Sequence, residues 1–217
     1  GETVRALADL VRAGKIRYFG VSNHKAWRIA EICAACDSEG IDRPIVSQVY
    51  YHALNRSAEV EQLPACAHRG LGVLAYSPLA RGVLTGKYTG GGRPEESRAA
   101  AGDRRLMETE FHPANLAAAD ALRAHAERRG VPLSTLALAF VLANPLVTGV
   151  VAGPRTFEQW LSYRDAWFTL PGGGAWSPDD WTLEDEAAFD AIVAPGTTAI
   201  PSFIDPAYPV EGRPTAP

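Results

Sequence analysis

The sequence predicts an α/β fold: a parallel sheet in which each strand feeds a helix, as in a (β/α) barrel or a doubly wound sheet. Three observations carry this. Short apolar runs recur four times, each leads into a segment with apolar residues at helical spacing, and each junction is polar or glycine-bearing. Strands that read as near-continuous apolar runs belong to parallel sheets covered by helices.

The elements follow in order. Glu2–Ala13 places Val4, Leu7, Ala8, Leu10 and Val11 on one helical face and is closed by Gly14. Ile16–Val21 ("IRYFGV") is the first predicted strand, and Ser22-Asn23 signals a turn and cap before an Ala-rich helix from Lys25 to Ser38. The unit repeats with a turn over Gly40–Pro44, a strand over Ile45–Val49 and a helix capped by Ser57 that runs to Arg69. Gly70–Tyr76 is the third strand, and the loop "SPLARGVLTGKY" leaves it. A glycine-rich polar tract, Thr89–Gly102, has the composition of a mobile insertion, followed by helices over Ala114–Arg129 and Leu133–Ala143. Val147–Val151 is the fourth strand, and "GPRT" leads into a helix over Phe157–Ala166. Beyond Pro171 come Trp176, Trp181, a last helix over Leu183–Val193 and a proline-rich tail expected to wrap rather than build. The expected division is a unit over 1–170, with an insertion at about 89–112, and a C-terminal helix and tail over 171–217 packed on it.

A closed barrel of eight such units needs about 250 residues, and only four strands are legible in these 217 residues. Gly1 in place of methionine, with Met107 the single methionine, adds to the expectation that the sequence is a piece of a longer product. Composition is that of an ordinary globular chain, 47% hydrophobic with a formal net charge of −4. That charge provides no field for holding a nucleic-acid backbone, so any phosphate site must be local. The apolar stretch 136–152 is broken by Asn144 and Pro145 into pieces too short to span a bilayer. With no basic leader, the expected compartment is the cytoplasm.

Three cysteines cannot frame a disulfide scaffold in a chain of this length. Cys33 and Cys36 have the spacing of a redox pair or of half a zinc site, but they lie mid-helix among alanines with no second pair to complete four ligands. They read as packing, as does Cys66. The histidines, His24, His52, His68, His112 and His125, show no metal-binding spacing.

In parallel α/β architectures ligands bind where strands end. The four ends here are "GVSN" (20–23), "SQVYYHALNR" (47–56), "YSPLARGVLTGKY" (76–88) and "AGPRT" (152–156). Taken singly, Ser22, Asn23 and Gln48 read as a helix cap and a polar strand end, Tyr76 as a core aromatic, and Lys87 and Arg155 as surface cations. Taken together and in this order, the four motifs resemble the aldo-keto reductase family from Glu2 to about Ala166.

The resemblance implies barrel strands five to eight of a (β/α)8 fold and most of an NADP(H) site. It implies that Ser22, Asn23 and Gln48 hydrogen-bond the nicotinamide carboxamide and that Tyr76 stacks on the ring. Ser77, Leu79, Gly82 and Leu84 would offer backbone N–H groups to the pyrophosphate, with Lys87 as a point charge. Gly153, Arg155, Thr156 and Gln159 would surround the adenosine end, Arg155 pairing with a 2′-phosphate, which favours NADP(H) over NAD(H). Three positions depart from the family pattern: Ser162 and Tyr163 replace an acidic residue and an asparagine, and His52 replaces an asparagine near the active-site rim.

The family reduces carbonyls with an aspartate, a tyrosine, a lysine and a histidine, all upstream of the matching segment, so no residue of this sequence is assigned a catalytic role. The expected activity is NADP(H)-dependent reduction of aldehydes or ketones. The rival is a truncated or degenerate member that binds NADP(H), or nothing, without chemistry and serves assembly or regulation. Half a barrel would also expose strand edges and inner faces, so the expected partners are its missing half or a second copy, besides a small carbonyl substrate. Trp160, Trp167 and Trp176 are the candidate lining of an apolar substrate pocket.

Overall fold

The computed structural model describes residues 1–168 and 181–208. Four parallel strands, β1 (Gly20–Ser22), β2 (Val46–Tyr50), β3 (Gly72–Tyr76) and β4 (Gly149–Val151), lie side by side in sequence order. All strand ends therefore open on the same edge. Helices α1 (Glu2–Arg12), α2 (Ala26–Glu39) and α3 (Gln62–Arg69) pack in series beside the first strands. Further along come α4 (Arg104–Thr109), α5 (Pro113–Arg128), α6 (Leu133–Ala143) and α7 (Phe157–Phe168), and α8 (Leu183–Ile192) packs on α5.

The two faces of the sheet differ. Ser47, Val49, Val73 and Ala75 are fully buried against the helices. Val46, Gln48, Tyr50, Leu74 and Tyr76, which alternate with them, are only partly covered. That half-open face is the one a closed barrel would turn inward.

Local chemistry explains where elements start and stop. The first predicted strand shortens because its pairing begins only where Ile45 N–H meets the Phe19 carbonyl at 3.0 Å; the preceding Pro44 has no N–H to give. The predicted helix from Ser57 divides into a single 3-10 turn, Ser57–Glu59, and α3. A continuous helix would place Pro64 in its interior, whereas the restart at Gln62 leaves it in the first turn, where no N–H is required. The fourth strand begins two residues later than predicted, at Gly149; Thr148 before it gives its N–H to the Val73 carbonyl at 2.8 Å, while its hydroxyl takes the place of its carbonyl and accepts from Val73 N–H at 3.0 Å.

The tract over 89–112 is a packed structure with a helix that its composition conceals. Ser97 and Ala99 are buried, and Asp103 caps α4 by accepting from Leu106 N–H at 2.8 Å. The Cys33, Cys36 and Cys66 thiols are buried and unpaired, and burial raises the pKa of each, as expected of packing cysteines. Among the described residues no helix is long and apolar enough to cross a membrane.

Arg56 pins the C-terminal segment. With a side chain only 4% exposed, it donates to Glu59 at 3.0 Å, to Asp190 at 2.6 Å and to the Val193 carbonyl at 3.0 Å. The chain beyond α8 then runs along the loop after β2, with Arg56 N–H on the Thr197 carbonyl at 2.8 Å and Ala199 N–H on that of Leu54 at 3.0 Å.

Candidate functional site

The open edge of the sheet is also where the backbone departs from ordinary conformations. Asn23 (φ 57°), Ser77 (φ 56°), Ala80 (φ 46°) and Arg81 (φ 50°) all adopt positive φ, and Ser202 is the only other described non-glycine residue to do so. Such conformations are disfavoured for residues with a Cβ and gather at ligand sites. Asn23 and Ser77 follow directly on the ends of β1 and β3, and Ala80 and Arg81 lie in the turns of the strap beyond β3.

A cleft of about 560 Å³ lies at the ends of β3 and β4, within the size range of small-molecule sites. Of the residues singled out from sequence, Tyr76, Ser77, Leu79, Gly82, Lys87, Gly153, Arg155 and Gln159 line it. Arg81, Arg98, Ser134 and Tyr163 join them. Four cations thus meet in one cleft, and no carboxylate lines it among the described residues; Asp103 pairs with Arg98 from outside at 3.2 Å. Partial burial, then the neighbouring Arg155 and Arg98, hold the Lys87 ammonium below its ordinary pKa. The cleft wall is therefore rich in cations, while the carboxylates that face them, Asp103 among them, stand behind it.

Gly82 is favoured by conformation, and a side chain there would shift Lys87. Its φ is +100°, and a Cβ there would lie 2.9 Å from Lys87 Cε, displacing the cation from the cleft wall.

The strap over 77–88 does not use its backbone as the sequence suggests. Gly82 and Leu84 N–H groups both bond to the Leu79 carbonyl, at 2.8 and 3.2 Å, because residues 80–85 fold into tight 3-10 turns. Those two N–H groups are committed within the strap, and the Leu84 side chain is buried away from the cleft. At the other wall, Thr156 caps α7 by accepting from Gln159 N–H at 3.2 Å, and Gln159 Oε1 accepts from Arg155 N–H at 2.7 Å.

Ser22 and Asn23 stand at the end of β1 and Gln48 in the middle of β2, all apart from the cleft lining; Asn23 alone is joined to it, through Tyr76. The Tyr76 hydroxyl donates to Asn23 Oδ1 at 3.1 Å, and Asn23 Nδ2 donates to the Tyr208 hydroxyl at 3.0 Å. Both ends of the Asn23 amide are therefore engaged. Tyr208 is carried in by the C-terminal segment, which a two-pronged pair between Arg105 and Asp205, at 3.0 and 2.8 Å, fastens to α4.

His52 is fully buried beneath the loop after β2 rather than at a rim, because its Nδ1 accepts the Leu54 N–H at 3.2 Å and so belongs to the loop's own turn. Among the candidate tryptophans Trp160 is half exposed and does not line the cleft, while the Trp167 side chain and Trp176, like the Ser162 side chain, lie outside the described residues.

Arg81 and Arg98 are what sequence reading missed. Arg81 sat in the strap motif with no signal to separate it from a solvated cation. Arg98 comes from a tract whose composition announces only a loop; its placement depends on Ser97 and Ala99 being drawn into the core.

A parallel α/β sheet with a cleft at its strand ends has the architecture of barrel and doubly wound proteins, which bind their ligands there. The chain belongs to the Aldo/keto reductase family, whose sequence model matches residues 1–171. That family has the (β/α)8 barrel fold and its oxidoreductases use NAD(P)H. The chain is 37% identical over 160 residues to Protein tas of Escherichia coli, covering 73% of this chain and 45% of that protein. It is 48% identical over 87 residues to aflatoxin B1 aldehyde reductase member 2 of Mus musculus, covering 40% and 24% of the two chains. It is also 37% identical over 160 residues to a probable voltage-gated potassium channel subunit beta of Arabidopsis thaliana, covering 73% and 49%. The chain spans about half the length of such relatives.

Proposed function

We propose that this chain is the cofactor-binding half, barrel strands five to eight, of an NADP(H)-dependent aldo-keto reductase that reduces aldehydes or ketones to alcohols in the cytoplasm. The observation that carries the reading is the cleft in which Arg81, Lys87, Arg98 and Arg155 meet without a lining carboxylate, in a chain of net charge −4. Cations held together at the expense of Lys87's own basicity are stabilised when a phosphate group sits among them.

In this reading Lys87 and Arg81, with the backbone of Ser77 and Leu79, face the pyrophosphate. Gly153, Arg155, Thr156 and Gln159 face the adenosine end, with Arg155 and Arg98 on the 2′-phosphate. Tyr76 offers its ring to the nicotinamide, and Ser22, Asn23 and Gln48 read its carboxamide, for which an amide is the natural partner because it supplies donor and acceptor together. The nicotinamide when bound supplies hydride; the residues of this chain hold it and fix which face is presented. The proton donor to the carbonyl belongs to the family's upstream motifs. Of the division expected at residue 170, the described residues before it, 1–168, form the barrel half and those beyond it, 181–208, pack on it.

Titration of NADPH and NADH against the protein, followed by nicotinamide fluorescence, tests this: NADPH binds more tightly, by at least about tenfold for one added charge-assisted contact. A second reading, cofactor binding without chemistry, is supported by the similarity to a probable channel subunit and by the engagement of Asn23 with Tyr208. Protein isolated from its source cells separates the two: NADPH oxidation that depends on added aldehyde supports the enzyme, and NADPH binding without turnover supports the rival.

A further inference from the structure

A second, much smaller cavity lies between the loop after β2 and the corner joining α4 to α5, and Tyr50, His52, Thr109, Glu110 and Asn115 line it. Its volume, about 10 Å³, is at the threshold for holding one water molecule. Three deeply buried side chains each bring to it a polar atom that has no protein partner: His52 Nε2, Glu110 Oε2 and Asn115 Oδ1. His52, Glu110 and Asn115 are 0%, 1% and 3% exposed, so bulk solvent does not satisfy them, and leaving such groups unpaired is costly.

The opposite end of each side chain fixes what its orphan atom can do. His52 Nδ1 accepts from Leu54 N–H at 3.2 Å, so the proton sits on Nε2 and that nitrogen is a donor. It stands 3.6 Å from Glu110 Oε1, beyond hydrogen-bond reach. Asn115 Nδ2 donates to the carbonyls of Thr109 and Glu110, at 3.3 and 3.1 Å, which leaves Oδ1 as the free acceptor. The Tyr50 hydroxyl donates to Glu110 Oε1, which leaves Oε2 as the second. The set is one donor and two acceptors.

We propose that this cavity is a binding site for a single water molecule, which accepts from His52 Nε2–H and donates its two hydrogens to Glu110 Oε2 and Asn115 Oδ1. A metal cation would suit the two oxygens and be repelled by the N–H. An ammonium ion has no lone pair to accept from it, and an anion is refused by the carboxylate. Water supplies both roles at once and completes all three groups, with the three hydrogen bonds usual for a buried water. The water ties the loop after β2 to the corner at which the segment over 89–112 rejoins the helices. It thereby fastens the segment that carries Arg98 to the cleft.

High-resolution diffraction from crystals of the protein, native and soaked in rubidium chloride, tests this. The expected result is a density peak within hydrogen-bonding distance of all three atoms, with no anomalous signal from rubidium there, and loss of the peak in Asn115→Leu, which removes one acceptor and fills the space. An empty cavity in the native map overturns the proposal. So does a rubidium peak, which would make the site a cation site.

Discussion

At Lys87, binding and stability pull in opposite directions. Burial and the adjacent Arg155 and Arg98 lower its pKa, so the charged form is disfavoured in the folded state. The cost is present below the folded pKa and disappears as the pH rises past the unfolded value of about 10.4. Lys87→Met should therefore leave the melting temperature of the cofactor-free protein unchanged or higher while weakening NADPH at least about tenfold; thermal melts and fluorescence titration read the two effects. Tyr208 bears on the other end of the proposed site. Its hydroxyl holds the Asn23 Nδ2 that a carboxamide would need, so Tyr208→Phe should tighten NADPH by roughly two- to fivefold, the worth of one net hydrogen bond. Unchanged affinity would show that the C-terminal segment does not compete.

Elements were legible where one local signal decides them. α6 lies where its apolar run predicts, over Leu133–Ala143, and α3 ends at Arg69 as predicted, while Gly70, read from sequence as the start of the third strand, caps it instead with a φ of 77°. Elements were missed where a contact distant in sequence decides: α4 depends on the Asp103 cap and on burial of Leu106 inside a tract that reads as loop. The strand-end motifs pointed to the cleft because glycine, proline and cations cluster there. Arg81 and Arg98 did not stand out, because only folding distinguishes a converging cation from a solvated one. Two predictions belong at this scale. Arg56→Ala should cost about 3 kcal/mol in denaturant unfolding, since it leaves Glu59 and Asp190 without their buried partner. Glu110 is buried, which by itself would raise its pKa, but the adjacent His52 ring, whose Nε2 lies 3.6 Å away, and the hydrogen bond from Tyr50 outweigh burial and hold it below the ordinary glutamate value. Its contribution to stability is present above the unfolded pKa of about 4.3 and is lost as the pH falls through the lower folded one. Wild type should thus lose stability more steeply than Glu110→Gln on acidification below that point, and parallel curves would contradict the assignment.

For the molecule as a whole, the sheet covers one face with helices and leaves the other half open at Val46, Gln48, Tyr50, Leu74 and Tyr76, and the chain spans about half the length of its relatives. In the proposed reading that open face is the inner wall of a barrel, so the 217-residue chain alone should self-associate in size-exclusion chromatography, and a monodisperse, cooperatively melting monomer would count against it. The central claim is that the cationic cleft binds a phosphorylated dinucleotide. Parallel titrations of NADPH and NADH on wild type and Arg155→Ala test it most directly. The account predicts a clear preference for NADPH in wild type that narrows in the variant. Equal affinity for the two cofactors in wild type, or no binding of either, would contradict it.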